Sequence, residues 1–294
     1  MQYYQTIWLS LAQNHTLMTV LTFTLILLLG AYAAGFIGSL SGLGGGVVII
    51  PLLTTVLHVD IHYAIGAALV SVIATSSGSA AAYVKEGITN MRLGMFLEIA
   101  TTAGAIGGAL MSTIAPTSFI AVLFGCTLIF SSINSLRKKQ EHAVKTSSKL
   151  AILLKLPSTY PEGKTRIAYG TKNVIGGFSM MGLAGMLSGL LGIGSGAFKV
   201  IAMDNIMKIP FKVSTTTSNF MMGVTATASA VIYLQKGYIE PVICMPAVIG
   251  VLLGAMTGAR ILIKANPRKL RLFFAVIIIM LALNMVYNGV VGNI

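Results

Sequence analysis

The sequence predicts an all-α integral membrane protein made of two inverted repeats of about five helical segments each, with glycine-rich breaks inside the membrane segments. Three observations lead there. Of the 294 residues, 55% are hydrophobic and only 9% charged, with a mean hydropathy of +0.87, whereas soluble domains are about a quarter charged. Apolar runs recur at lengths suited to a bilayer core, which needs roughly 20 apolar residues per helix. The pattern also repeats 150 residues further on. Secreted disulfide scaffolds, disordered tails and water-soluble enzymes are excluded, and the runs lack the strict alternation of a β-barrel.

The first run, Leu17 to Leu40, is not preceded by the positive region of a signal peptide, because the first Lys or Arg is Lys85, so it is expected to stay as a helix. Val47–Leu57, Tyr63–Val84, Leu93–Ser112 and Phe119–Leu136 complete a first repeat over residues 1–136. Residues 137–172 carry nine Lys or Arg against Glu141 and Glu162, with Pro157, Pro161 and Gly163 between them, and read as a solvated basic connection. The second repeat, 173–294, holds Val174–Leu191, Ala197–Met207, Val213–Leu234, Val242–Ile263 and Leu270–Val291. Gly35, Gly42, Gly44 and Gly46 match Gly185, Gly192, Gly194 and Gly196, and the same offset pairs Tyr83 with Tyr233, Gly87 with Gly237, Gly104 with Gly254 and Gly108 with Gly258. A shared register without gaps points to duplication.

The net charge of +13 would suggest a nucleic-acid partner in a soluble protein. Here the basic residues sit in short loops, which marks those loops as cytoplasmic, and no nucleic acid is expected. The loop Leu57–His62 and the turn Thr113–Ser118 carry no Lys or Arg, while Lys85–Arg92 has two. The equivalent loops reverse this order: Lys208 and Lys212, then Lys236 offset by Glu240, then Lys264, Arg268, Lys269 and Arg271. The expectation is a multi-pass cell-membrane protein with both termini external, the 137–172 loop cytoplasmic, and the two halves inverted, a common device of secondary transporters.

The clusters Gly42-Leu43-Gly44-Gly45-Gly46 and Gly192-Ile193-Gly194-Ser195-Gly196 predict helix breaks, since glycine costs about 1 kcal/mol relative to alanine within a helix. The eleven residues after each cluster would form a helix of only about 16 Å, either crossing together with the break or re-entering. Unwound backbone at membrane depth is tolerated only where protein or a watery cavity meets its polar groups. Free N–H groups at the start of each short helix would suit an anion; close packing through small residues is the alternative.

The stretch Gly35-Phe36-Ile37-Gly38-Ser39-Leu40-Ser41-Gly42-Leu43-Gly44-Gly45-Gly46, followed by Pro51-Leu52-Leu53, resembles a hallmark motif of the TauE/SafE family of sulfite and organosulfonate exporters. Its echo from Gly185 to Gly196 is similar to the family's second motif, and Thr217-Ser218 matches the Thr-Ser pair after it. Ala67-Ala68 replaces that pair in the first half, and Ser195 and Ile201 stand where glycine and proline are usual. The resemblance covers nearly the whole chain except the central loop. It implies a multi-helix permease that moves small sulfur-containing anions such as sulfite, sulfoacetate or related carboxylates out of the cell.

Within the spans, Lys199 would supply positive charge to an anion, or else pair with Asp204 or reach the interface. Glu98 would carry a coupling proton, partner Lys199 or serve structure, and Asp204 is a second candidate for coupling. Thr217, Ser218 and Asn219 are favoured as cavity-lining residues over Ser214, Thr215 and Thr216, and over Ser71, Thr75, Ser76, Ser77 and Ser79 in the equivalent helix. With Lys199 and the glycine clusters, Ser195 included, they make the expected substrate site.

Other chemistry is weaker. His58, Asp60 and His62 could form a metal site, but they fall in a turn between spans and only four histidines exist, and Cys126 and Cys244 read as core. Gly163-Lys164-Thr165 lacks the rest of a phosphate-binding loop, the glycine clusters lack the βαβ unit of a dinucleotide site, and no hydrolytic motif occurs. No enzymatic activity, cofactor or resident metal is expected. The partners expected are a small anion and the lipid bilayer, with the oligomeric state open. The function expected is export by alternating access, the rivals being a metal-cation transporter and a non-transporting membrane receptor or assembly protein whose basic loop docks a partner.

Overall fold

The computed structural model describes residues 20–41, 45–136, 146–162, 165–262 and 267–292. The first half contains α1 (Val20–Ser41), α2 (Gly46–Pro51, continued by a π turn Leu52–Val56), α3 (Ile61–Lys85), α4 (Met91–Ser112) and α5 (Thr117–Leu136). A short helix α6 (Lys149–Leu153) and the strands β1 (Ser158–Glu162) and β2 (Thr165–Tyr169) follow. The second half contains α7 (Val174–Leu191), α8 (Gly196–Ile201, continued by a π turn Ala202–Ile206), α9 (Phe211–Gln235), α10 (Pro241–Leu262) and α11 (Pro267–Val291).

Each element of the first half has a counterpart 150 residues on. The bounds of α2, its π turn, α3 and α4 recur without change in α8, its π turn, α9 and α10. Left-handed backbone recurs in the same way, at His58 and Lys208 and at Gly87 and Gly237. The halves interlock: α1 packs on α10, α4 on α7, α3 on α9 and α5 on α11. Glycines allow the close crossings. A β-carbon on Gly35 would strike the Val251 carbonyl and one on Gly185 the Thr101 carbonyl; Gly254 meets the Tyr32 carbonyl as Gly104 meets that of Gly182. Each of these pairs maps onto another when 150 is added, wrapping from one half into the other.

The helices bury one face against these partners and leave large apolar side chains such as Leu21, Ile99 and Met245 outward, a surface suited to lipid. Ile61–Gly78 in α3, Met91–Ser112, Thr117–Asn134 and Val174–Leu191 are long and apolar enough to cross a membrane. Val20–Phe36, Gly46–Val56, Pro241–Thr257 and Ala275–Val291 are apolar but shorter among the described residues. The run Ser214–Asn219 lowers the hydropathy of α9.

Among the described residues the structure is helical apart from one hairpin, whose burial corrects the reading of the connection as a wholly solvated link. Strands β1 and β2 pair antiparallel, with Tyr160 opposite Ile167 and Thr159 opposite Ala168. Leu156, Tyr160 and Tyr169 are buried with Leu93, Met207 and Val213 from the helices. Alternating side chains bury one face of the hairpin, whereas charge counts register only the other.

Loop contacts gather at two ends of the bundle. At one end Asn90 caps α4 by accepting from the Leu93 N–H, and its amide donates to the Leu156 carbonyl at 2.9 Å and the Tyr169 hydroxyl at 2.8 Å. There too Lys172 N–H bonds the Met207 carbonyl and Lys212 reaches the Pro161 carbonyl. At the other end His62 bonds Asp60 and the Ser112 carbonyl, each at 3.0 Å, and stacks on Tyr238. The Tyr233 hydroxyl donates to Ser112 Oγ at 2.6 Å.

Candidate functional site

The expected second break lies where a helix stops. Helix α7 ends with Gly192 at φ 70°, and Gly194 at 67° and Ser195 at 44° continue in left-handed backbone before α8 begins. Gly192 suits this without a β-carbon; Ser195 adopts it at a cost of order 1–3 kcal/mol. Ser195 is buried, caps nothing with its side chain, and its Oγ has no hydrogen-bond partner. In the first half Gly45 forms a turn and α2 starts at Gly46; Gly42 and Gly44 lie outside the described residues. The two breaks meet: a β-carbon on Gly46 would lie 3.2 Å from the Gly192 carbonyl oxygen. Each short coil then runs for eleven residues, Gly46–Val56 and Gly196–Ile206, as its sequence implies.

Lys199, one turn into α8, is fully buried. Desolvating an ammonium costs several kcal/mol unless charge and hydrogen bonds compensate, and the positive end of the coil beside it adds to the cost. The compensation comes from two other helices. Lys199 Nζ donates to Thr225 Oγ1 at 2.6 Å, and Thr225 Oγ1 in turn lies 2.6 Å from Glu98 Oε1. Thr102 also donates to that carboxylate oxygen at 3.3 Å. Glu98 is 7% exposed, and its Oε2 has no partner. Lys199 therefore turns toward Glu98 through a threonine hydroxyl. Asp204 is half-buried in the π turn after α8.

The hydroxyls of α9 divide between roles. Ser218 donates to the Gly196 carbonyl at 3.1 Å, tying α9 to the start of α8. Thr217 Oγ1 accepts from the Asn90 N–H at 3.1 Å, which commits it to the α4 cap. Asn219 accepts from Ser76 Oγ through its backbone carbonyl, linking α3 to α9. Thr225 was not distinguished in the sequence, although it lies seven residues past Ser218 and so on the same helix face. Asn90 and Thr102 were likewise unmarked. Of the disfavoured metal candidates, His62 bonds Asp60 and the Ser112 carbonyl through its two ring nitrogens, and no group of three metal-binding side chains is gathered among the described residues. The phosphate-loop-like Gly163-Lys164-Thr165 falls at the hairpin, with Gly163 and Lys164 outside the described residues.

A shallow groove of about 510 Å³ between α4 and α9, lined by Met95, Glu98, Ile99, Thr102, Phe220 and Val224 among others, opens on the same outward apolar surface as Ile99. It reaches the relay from its Glu98 side and does not touch the glycine breaks.

A family model described as sulfite exporter TauE/SafE matches residues 27–285, which takes in both breaks and all three members of the relay. The chain belongs to the TauE/SafE family. This TauE/SafE protein is 27% identical over 277 residues to the probable membrane transporter protein YunE of Bacillus subtilis, covering 92% of this chain and 99% of the relative. A probable membrane transporter protein of Haemophilus influenzae is 26% identical, covering 90% and 98% respectively. The probable membrane transporter protein MJ0441 of Methanocaldococcus jannaschii is 24% identical, covering 86% and 91%. No solved structure matches. Family and relatives make the chain a membrane transporter.

Proposed function

We propose that this membrane transporter is a secondary exporter of small anions, sulfite or organosulfonates, working by alternating access. The observation that carries the reading is Lys199, a fully buried cation one turn inside a coil whose left-handed approach contains the unpartnered Ser195 hydroxyl. The positive end of the coil and the ammonium together favour negative cargo, and an unused hydroxyl at membrane depth offers it a donor. The breaks of both halves adjoin, so rocking one half against the other would expose the site to each side in turn. The family description supplies sulfite as the substrate class to test.

The gathering of loop contacts supports inverted halves. The loop containing His58 lies near the Ser112 and Tyr238 end, while its counterpart containing Lys208 lies near the hairpin end, where Lys155, Arg166 and Lys172 also sit. With the basic end cytoplasmic, the 137–172 connection is inside and both termini are external. In vesicles loaded with sulfite or 2-hydroxyethanesulfonate, the reconstituted protein should release the anion. Lys199→Ala should slow release by about tenfold or more, from the loss of a charge-assisted hydrogen bond. No release of any such anion by the wild-type protein would reject the reading.

A further inference from the structure

The relay has one carboxylate oxygen too many for a merely structural pair. Glu98 Oε1 is bonded by Thr225 and Thr102, while Oε2 is buried without a partner and the residue forms part of the groove wall. We infer that the Glu98–Thr225–Lys199 relay takes up the proton that accompanies the anion, so that one proton and one anion load together. The inference rests on the anion-transport reading above.

The groups around Glu98 limit the alternatives. Among the described elements packed on α4, α7 contains no titratable residue, α9 contains only Lys212 at its exposed start and Tyr233, which is bonded to Ser112 at the far end, and the hairpin brings Tyr160 and Tyr169 to the start of α4 near Leu93 and Asn90. On α4 itself, Arg92 reaches out to the Lys155 carbonyl. The facing cation is Lys199, brought by α8. The arrangement also occurs once in the duplicated fold. The counterparts of Lys199, Thr225 and Glu98 are Ile49, Thr75 and Val248, of which only the threonine is polar.

The charge balance follows. In the empty site the Glu98 carboxylate and the Lys199 ammonium sum to zero. An arriving monoanion leaves the pocket one negative charge in excess, which desolvated surroundings oppose. If Glu98 takes one proton and becomes a carboxylic acid, the ammonium is released to the anion and the loaded site is again neutral. A monoanion then crosses without net charge, driven by its own gradient and by pH rather than by membrane potential.

The test uses 2-hydroxyethanesulfonate, a strong-acid anion that carries no proton itself, in vesicles with a trapped pH dye and the potential clamped. Outward flux through the wild-type protein should remove about one proton per sulfonate and raise the interior pH. Glu98→Gln, normalised to whatever flux remains, should bring that ratio near zero, and Glu98→Asp should restore it. Sulfonate flux without proton movement in the wild-type protein, or an unchanged ratio in Glu98→Gln, would overturn the coupling alone. Absence of wild-type flux for sulfonate and sulfite would overturn the transport reading and this inference with it.

Discussion

Thr225 has one proton and two acceptors within reach, Glu98 Oε1 at 2.6 Å and the Met221 carbonyl at 2.9 Å, while its oxygen receives the Lys199 ammonium. Such a hydroxyl transmits the state of one charge to the other by choosing its acceptor. Thr225→Val should therefore lower transport by about tenfold with little loss of packing, and Thr225→Ser should retain most of it; vesicle flux beside detergent melting separates the two effects. Lys199 and Glu98 stand out in the sequence because charge is rare in apolar runs. Their bridge does not, since Thr225 is 127 residues from Glu98 and one of many hydroxyls in its helix. At the hairpin, burial raises the Tyr169 phenol to about 12. Its contribution to docking is complete below the ordinary value of 10 and is lost as pH rises through about 12. Tyr169→Phe should remove one late-titrating phenol from the ultraviolet phenolate titration.

At the scale of elements, left-handed glycines separate into those that only turn and those that also leave room. Gly237, at φ 75°, has open space where a β-carbon would go, whereas at Gly192, φ 70°, a β-carbon would lie 2.6 Å from Ile65 Cγ2. Gly237→Ala should cost about 1 kcal/mol through backbone strain alone, and Gly192→Ala distinctly more, read as melting shifts in detergent. The second break and the eleven-residue coils were legible because glycine composition acts locally. The π turns Leu52–Val56 and Ala202–Ile206 were not, because they depend on how the coils fit their neighbours rather than on apolar runs. Nor was the hairpin, whose buried tyrosines find their partners on distant helices.

For the whole molecule, the recurrence of element bounds at an offset of 150 was readable from the glycine register, but the interlocking of halves was not, since nothing local says that α1 packs on α10 or α4 on α7. Because the principal helix pairs cross between halves, neither half should fold alone. Separately expressed fragments 1–145 and 146–294 should be unstable, yet copurify when made together with a tag on one. In a background without Cys126 and Cys244, His58→Cys should react with an impermeant maleimide from outside, and Lys208→Cys only after permeabilisation; labelling of both from one side would reject the inverted arrangement.

Asn90, which holds the hairpin, has Glu240 as its image, and among the described residues one hairpin alone is present. Among the described residues this clasp is found at the hairpin end of the bundle alone. If the halves rock as proposed, opening that end must stretch or carry the clasp while opening the opposite end leaves it untouched, so the two extremes would differ in energy even before any cargo arrives. On that reading the resting protein would prefer one facing, set by the hairpin and tunable without altering Lys199, Thr225 or Glu98.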